Sequence, residues 1–284
     1  MAPRIQRTAQ NGRRRLVEDI RDHYDRLASF YRAFWGEDIH HGYWEAEESA
    51  DEAQLNLIKR LADAAEIARG DRVLDVGCGT GGSSVWLAGQ RGCEVTGITI
   101  SEVQIELARK RAEEAGVSDR VAFQKMDAND LDMPPNSFDA VWVIECSEHL
   151  LEKSRFIRQA SRVLRPGGKF ALCVWLRVDD LTAWEEREFI LPVCEGFLCP
   201  SLASMSEYRQ WLEENGMRQI RTWDITAQVE RTWQLCGAIA TRPEVQFLLR
   251  FADRRVRSFV NAFAAIRRAY AERKMVYGMI VARK

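Results

Sequence analysis

Arg72-Val-Leu-Asp-Val-Gly-Cys-Gly-Thr-Gly-Gly82 is the stretch from which the fold can be read. Val73, Leu74 and Val76 form a short apolar run, as expected of a strand buried on both faces. Gly77, Gly79, Gly81 and Gly82 then permit a tight turn in which backbone can approach a ligand with no Cβ in the way. Ser83 to Ala88 reads as the helix that follows. Strand, glycine turn and helix open a doubly wound sheet, whose ligands bind outside the carboxyl ends of its strands.

Asp75, two residues before the first glycine, narrows the choice of ligand. Gly77, Gly79 and Gly82 fit a dinucleotide fingerprint, but that reading also wants an acid roughly 20 residues on for the ribose. The second predicted strand, Cys93 to Ser101, ends without one. A carboxylate at Asp75 suits a ligand bearing an ammonium, as S-adenosyl-L-methionine does beside its sulfonium. Asp75-Val-Gly-Cys-Gly-Thr-Gly81 resembles the first motif of class I S-adenosylmethionine-dependent methyltransferases. The resemblance implies an α/β fold with a mostly parallel, doubly wound, seven-stranded Rossmann-like sheet. Its cofactor would be S-adenosylmethionine, leaving as S-adenosylhomocysteine, with no metal.

The rest of the chain divides around that core. Residues 1–15 are an arginine-rich leader expected to be disordered, and 16–70 an N-terminal helical cap whose aromatic stripe ends at Trp35. Within the cap, a second amphipathic helix is expected from Ala53 to Ala68. Residues 71–176 are the cofactor-binding core, with strands at 93–98, 120–125, 138–144 and 169–175 alternating with helices at 101–115 and 152–163. That alternation implies parallel βαβ units. Arg165-Pro-Gly-Gly168 reads as a turn between helix and strand. Residues 177–284 break the rhythm with two acceptor-binding inserts, the second a long helical stretch over 226–270. They also hold the last strands, Met217–Asp224 and Met275–Ala282, the final one expected antiparallel near the sheet edge.

Asp127-Ala128, just past the third strand, is placed to meet an adenine, which in the resembled families the acid and the next backbone N–H recognise. Thr99 and Gln104 stand where most class I enzymes carry a ribose acid, and the segment matches a subgroup that uses a hydroxyl and an amide there. The fourth strand ends in Ile144-Glu-Cys-Ser-Glu-His149. Two carboxylates and an imidazole so close together are costly to bury without purpose. An acceptor proton must be removed in methyl transfer to a phenol, an amine or a ring carbon. His149 has the chemistry of the base, with Glu148 and Glu145 orienting it or holding a cationic acceptor. Together with His23-Tyr-Asp, Ile39-His-His-Gly-Tyr43 and Pro166-Gly-Gly168, this segment resembles the γ-tocopherol methyltransferase group, which is similar to plant alkaloid N-methyltransferases and more distantly to cyclopropane fatty-acid synthases. The resemblance implies that Tyr24, His40 and His41 cover the methionine end of the cofactor with Ile144 beside it. It puts Glu145, Glu148 and His149 on the acceptor side. Sugar O-methyltransferases often carry a His in place of Glu148, so the chain departs from that pattern.

Bulk properties set outer bounds. The chain has 284 residues and a net charge of −1, which gives no general attraction to nucleic acid. Basic residues do cluster, five arginines within 4–15 and eleven bases against three acids within 242–284. This reads first as a disordered leader and a solvated helix face, with weak contact with an anionic membrane surface or acidic partner as the alternative. Seven scattered cysteines, without a Cys-x-x-Cys pair, suggest a reducing compartment and neither disulfide nor zinc framework. With no signal-peptide pattern or bilayer-length apolar run, a cytoplasmic enzyme is expected. The acceptor is expected to be a small aromatic or amine-bearing molecule. C-methylation of a phenol or quinol ranks first, ahead of N- and then O-methylation. A cofactor sensor without turnover and a dehydrogenase are the rivals from other classes.

Overall fold

The computed structural model describes residues 17–22, 36 and 38–284. The expected leader and most of the aromatic stripe, Tyr24 included, lie outside the described residues. Seven strands form one sheet: Arg72–Val76 (β1), Glu94–Thr99 (β2), Val121–Lys125 (β3), Phe138–Ile144 (β4), Leu164–Arg177 (β5), Arg218–Asp224 (β6) and Met275–Arg283 (β7). Their order is β3-β2-β1-β4-β5-β7-β6. The first five run parallel, and β7 lies antiparallel between β5 and β6, as expected of the final strand. The chain therefore starts at mid-sheet, winds out to β3, and returns past β1 to β4. A cleft opens at that reversal, outside the carboxyl ends of β1 and β4.

Helices cover both faces, so β4 is buried along its whole length. Trp142 and Ile144 pack into one apolar cluster with Leu57 and Leu61 of Ala50–Ala64 (α1). Val141 and Val143 pack into the other with Phe156 and Ile157 of the helix after β4, Lys153–Val163. Alternate side chains thus feed opposite layers, which is why the strand reads as an unbroken apolar run.

Two elements differ from the sequence reading. Helix α1 starts three residues early, because Ser49 and Glu52 form a reciprocal capping box, and it ends at Ala64. Arg165 to Gly168 lies within the extended β5; Phe138 pairs with Leu164 but Ala140 with Lys169, so these residues bulge out of the ladder. The 226–270 stretch is helical, as expected, and is divided into several helices, the main ones being Arg231–Ala240, Pro243–Leu249 and Arg254–Ala271. Pro243 can only start a helix, and the Asp253 side chain accepts the Val256 N–H to start the next.

Candidate active site

A single cavity runs from the glycine turn along the carboxyl ends of β1, β2 and β4 and under the C-terminal helices. Gly77, Thr99, Gln104, Asp127, Ala128, Ile144, His40 and His41 border it, together with Glu145, Glu148 and His149. The sequence-predicted residues on the two sides of the reaction are therefore brought together. Gly77 has φ +75°, and a Cβ there would stand 2.5 Å from the Cys146 side chain. Thr99 Oγ1 donates to Gln104 Oε1 at 2.6 Å, so these two buried groups form one polar unit at the end of β2. Asp127 Oδ1 accepts from the Asn129 backbone N–H at 2.8 Å, which holds the carboxylate in a turn after β3. A hydroxyl–amide pair, a fixed carboxylate and an open glycine turn suit a ribose, an adenine and a methionine tail, so the residues fit the expected cofactor.

Asp75 and Gly79 do not border the cavity as it stands. Asp75 is buried at the end of β1, where its carboxylate accepts the Ser84 hydroxyl at 2.6 Å. Burial pushes its pKa up to about 7, against the Ser84 hydrogen bond and with help from the charge of Asp38. Asp38 itself lies across the glycine turn, where its carboxylate would collide with a Cβ on Gly82. Arg111 of Glu102–Glu114 grips it at 2.6 and 3.1 Å, and the buried Gln54 amide donates to its carbonyl. A strap made of residues 38–44 thus covers the cofactor side.

Behind the strap, Glu145 accepts from the His41 backbone N–H at 2.7 Å and the Tyr277 hydroxyl at 2.7 Å. His41 Nδ1 and Trp175 Nε1 complete the set, each at 3.0 Å. Trp233 Nε1 donates to His41 Nε2 at 2.6 Å, so the ring proton of His41 sits on Nδ1 and points at Glu145. Burial would raise the Glu145 pKa, but His41, through ring and backbone, outweighs it and holds the carboxylate at about 2. Glu145 also has φ +49°, a left-handed conformation that only a well-tied residue keeps.

Glu148 and His149 stand differently. Glu148 Oε1 accepts the Trp175 backbone N–H at 2.7 Å, while its buried Oε2 has no hydrogen-bond partner among the described residues. Burial, then the charge of Glu145, pushes its pKa up to about 8, so it carries its proton at neutral pH. His149 is driven the other way: burial lowers its pKa to about 4, although the Leu198 backbone pulls it back up. A protonated carboxyl and a neutral imidazole therefore sit side by side. Beyond them the cavity is walled by Trp175, Phe197, Trp233, Phe259 and Phe263. The Phe197 ring packs edge-on against Trp175, Trp233 and Phe259, with centroids 4.9–5.3 Å apart.

Several of these parts have no signal in the sequence. Asp38, Ser84 and Arg111 are ordinary loop and helix residues by composition, and Tyr277 lies 132 residues from the carboxylate it binds. Trp175 and Trp233 are visible only as members of an aromatic set, not as indole donors. Only the long-range pairing of β5 and β7 aligns Trp175 with Tyr277.

A methyltransferase-domain family model matches residues 74–172, the core containing the glycine turn and β4. The 27-O-demethylrifamycin SV methyltransferase of Amycolatopsis mediterranei is 40% identical over 212 residues, 74% of this chain and 77% of that one. The chloroplastic tocopherol O-methyltransferase of Arabidopsis thaliana is 30% identical over 237 residues, 77% of this chain and 68% of that one. Among solved structures, the [4+2]-cyclase SpnF superposes with a TM-score of 0.78 at 28% identity, over 93% of this chain and 94% of that one. Relatives of such varied names do not single out the tocopherol group, but they agree on the coarser kinship. The chain belongs to the S-adenosylmethionine-dependent, small-molecule methyltransferase family.

Proposed function

We propose that this enzyme methylates a hydroxyl oxygen of a bulky, uncharged, largely apolar small molecule. The observation that carries the reading lies at the junction of the two cavity halves, where Glu148, whose buried Oε2 has no hydrogen-bond partner among the described residues, and His149 both border the cavity and burial favours the uncharged form of each. No Lys or Arg borders the cavity among the described residues, so nothing there would neutralise a phosphate or carboxylate on the acceptor. An amine is disfavoured for a related reason. Glu145 is saturated by protein donors and Glu148 is uncharged, which leaves no spare anion for an ammonium.

When bound, S-adenosylmethionine supplies an electrophilic methyl group on its sulfonium. His149 accepts the hydroxyl proton at a ring nitrogen as the oxygen becomes nucleophilic. Glu148 donates from its carboxyl to the acceptor and aims the oxygen along the line of transfer. The aromatic wall excludes water and holds the apolar body. C-methylation of a phenol, ranked first from sequence, shares the deprotonation and differs in the atom that meets the methyl group. The 40%-identical relative carries O-methylation in its name, and that favours oxygen.

The test is turnover of methyl-labelled cofactor with a panel of hydroxylated polyketides, terpenoids, phenols and amines, with product NMR. An O-methyl product on an apolar alcohol or phenol is expected. Methyl on nitrogen, or on ring carbon, would overturn the acceptor assignment. Conversion without label transfer would instead favour a cyclase-like activity, as the name of SpnF suggests for its own reaction.

A further inference from the structure

Three of the eight exposed large apolar side chains among the described residues fall within five positions: Phe247, Leu248 and Phe251, which are 57%, 54% and 77% exposed. The Phe247 and Phe251 rings meet edge-on with centroids 5.3 Å apart, so they form one apolar knob where Pro243–Leu249 gives way to Arg254–Ala271. Packing among the described residues does not account for this knob. Clustered exposed apolar groups mark a surface that meets something else.

Charge around the knob says what. Residues 242–257 hold five arginines against Glu244 and Asp253, and Asp253 is committed to capping a helix. Arg257 folds back to donate to the Ala252 carbonyl at 2.8 Å, which keeps its charge beside Phe251, and Arg250 and Arg254 are exposed. Arg255 pairs with Asp19 at 2.6 Å, tying the start of the described chain to the same helix. Five more arginines precede Val17 in the sequence.

We propose that this knob docks on an anionic lipid surface, its aromatic and leucine side chains entering the interface while the arginines meet headgroup phosphates. The proposal rests on the reading of the acceptor as apolar. Cys236 and Ile239, and Phe259 and Phe263, come from the helices flanking the knob and border the cavity. An acceptor dissolved in lipid would therefore meet the enzyme at the element that walls its chamber. A second copy fits less well, because the arginine-rimmed patches would repel each other. An acidic protein would satisfy the charge and leave the three apolar side chains unexplained.

The full chain, without acceptor, is floated with vesicles of phosphatidylcholine and with vesicles of equal parts phosphatidylcholine and phosphatidylglycerol. Binding to the anionic vesicles is expected to exceed that to neutral ones by about tenfold and to weaken with salt. The triple variant F247S/L248S/F251S should lose that binding while keeping its fold and its affinity for S-adenosylhomocysteine. Equal flotation of wild type and triple variant, or none by either, overturns the proposal. So does a dimer in sedimentation that the same variant disperses. Binding lost only in R250E/R254E, with the triple variant unaffected, would show a contact made by charge alone without the knob and also overturns it. Vesicle binding without methylation of apolar hydroxyls would sink the acceptor assignment alone.

Discussion

Glu145 Oε1 takes both the backbone N–H and the Nδ1 of His41, at 2.7 and 3.0 Å, across 104 residues of sequence. This one oxygen fastens the strap over the cofactor side to the end of the strand that faces the acceptor. Glu145 is therefore occupied by protein donors on both oxygens.

Glu145→Ala should leave the Trp175 indole, the Tyr277 hydroxyl and the His41 N–H groups without their acceptor. A loss of about 3 kcal/mol is expected in urea unfolding, as for breaking one side of a buried charged network. Cofactor affinity should fall with it as the strap loosens. A loss below about 1 kcal/mol would mean that the strap is held elsewhere.

If Asp75 receives the ammonium of the cofactor, as the sequence leads one to expect, binding should depend on pH. Its carboxyl, raised to about 7 by burial, must be ionised to receive an ammonium. Calorimetric Kd values should weaken by about tenfold per unit as pH falls from about 7 to 5, with uptake of ligand releasing a proton. Asp75→Asn should abolish binding or, where residual binding persists, flatten this dependence. A wild-type Kd independent of pH over that range would remove Asp75 from the role.

Stability of the cofactor-free protein should slope in the opposite direction. Asp75 and Glu148 have folded-state pKa values raised above their ordinary ones, to about 7 and about 8. Their contribution is whole below the ordinary carboxylate range and is lost as pH rises through those values. Glu145, lowered to about 2, contributes above the ordinary range and loses its contribution only in strong acid. His149, lowered to about 4 by burial, offsets this loss below about pH 6.5, and both carboxyls are ionised above about 8. The melting temperature should therefore decline between about pH 6.5 and 8, and Glu148→Gln should flatten the decline. A rising melting temperature across that window in wild type would contradict the buried, protonated state of Glu148.

His149→Ala should spare cofactor binding and lower kcat by about 10²- to 10⁴-fold, the usual contribution of a positioned base. The wild-type rate should stay level through neutral pH, because His149 with a pKa of about 4 is already neutral there. Loss of rate with a midpoint between pH 6 and 7 would show a differently ionised imidazole, and an unchanged kcat in the variant would exclude it as base.

Gly77→Ala tests the turn itself. The residue combines φ +75° with a Cβ position 2.5 Å from Cys146 Sγ. Strain and collision together should cost about 2 kcal/mol or more and weaken cofactor binding. Cys146→Ala in the same chain should recover part of the loss by removing the sulfur. No recovery would assign the cost to the Cys146 Cβ contact, also 2.5 Å away, and to backbone strain.

What could be read before any coordinates were the local matters: the apolar run of β1, the glycines after it, the alternation of strands with helices, and the cluster Glu145, Glu148 and His149 within six residues after Val143. These depend on neighbours in the chain, where periodicity and residue type act directly. The two departures, at the start of α1 and at Arg165–Gly168, were also local, since a capping box and a bulge were present in the residues and were outweighed by the longer pattern. What only the tertiary structure decided is how two adjacent acids differ. Glu145 and Glu148 are three residues apart, yet one is held at about 2 and the other at about 8. The difference comes from which donors reach them: His41 and Tyr277 arrive from opposite ends of the chain at Glu145, while Glu148 receives one backbone N–H and then faces burial and its neighbour's charge. Ionisation depends on the surroundings in space, and the chain brings those surroundings together only when the strap, β5 and β7 have closed around β4.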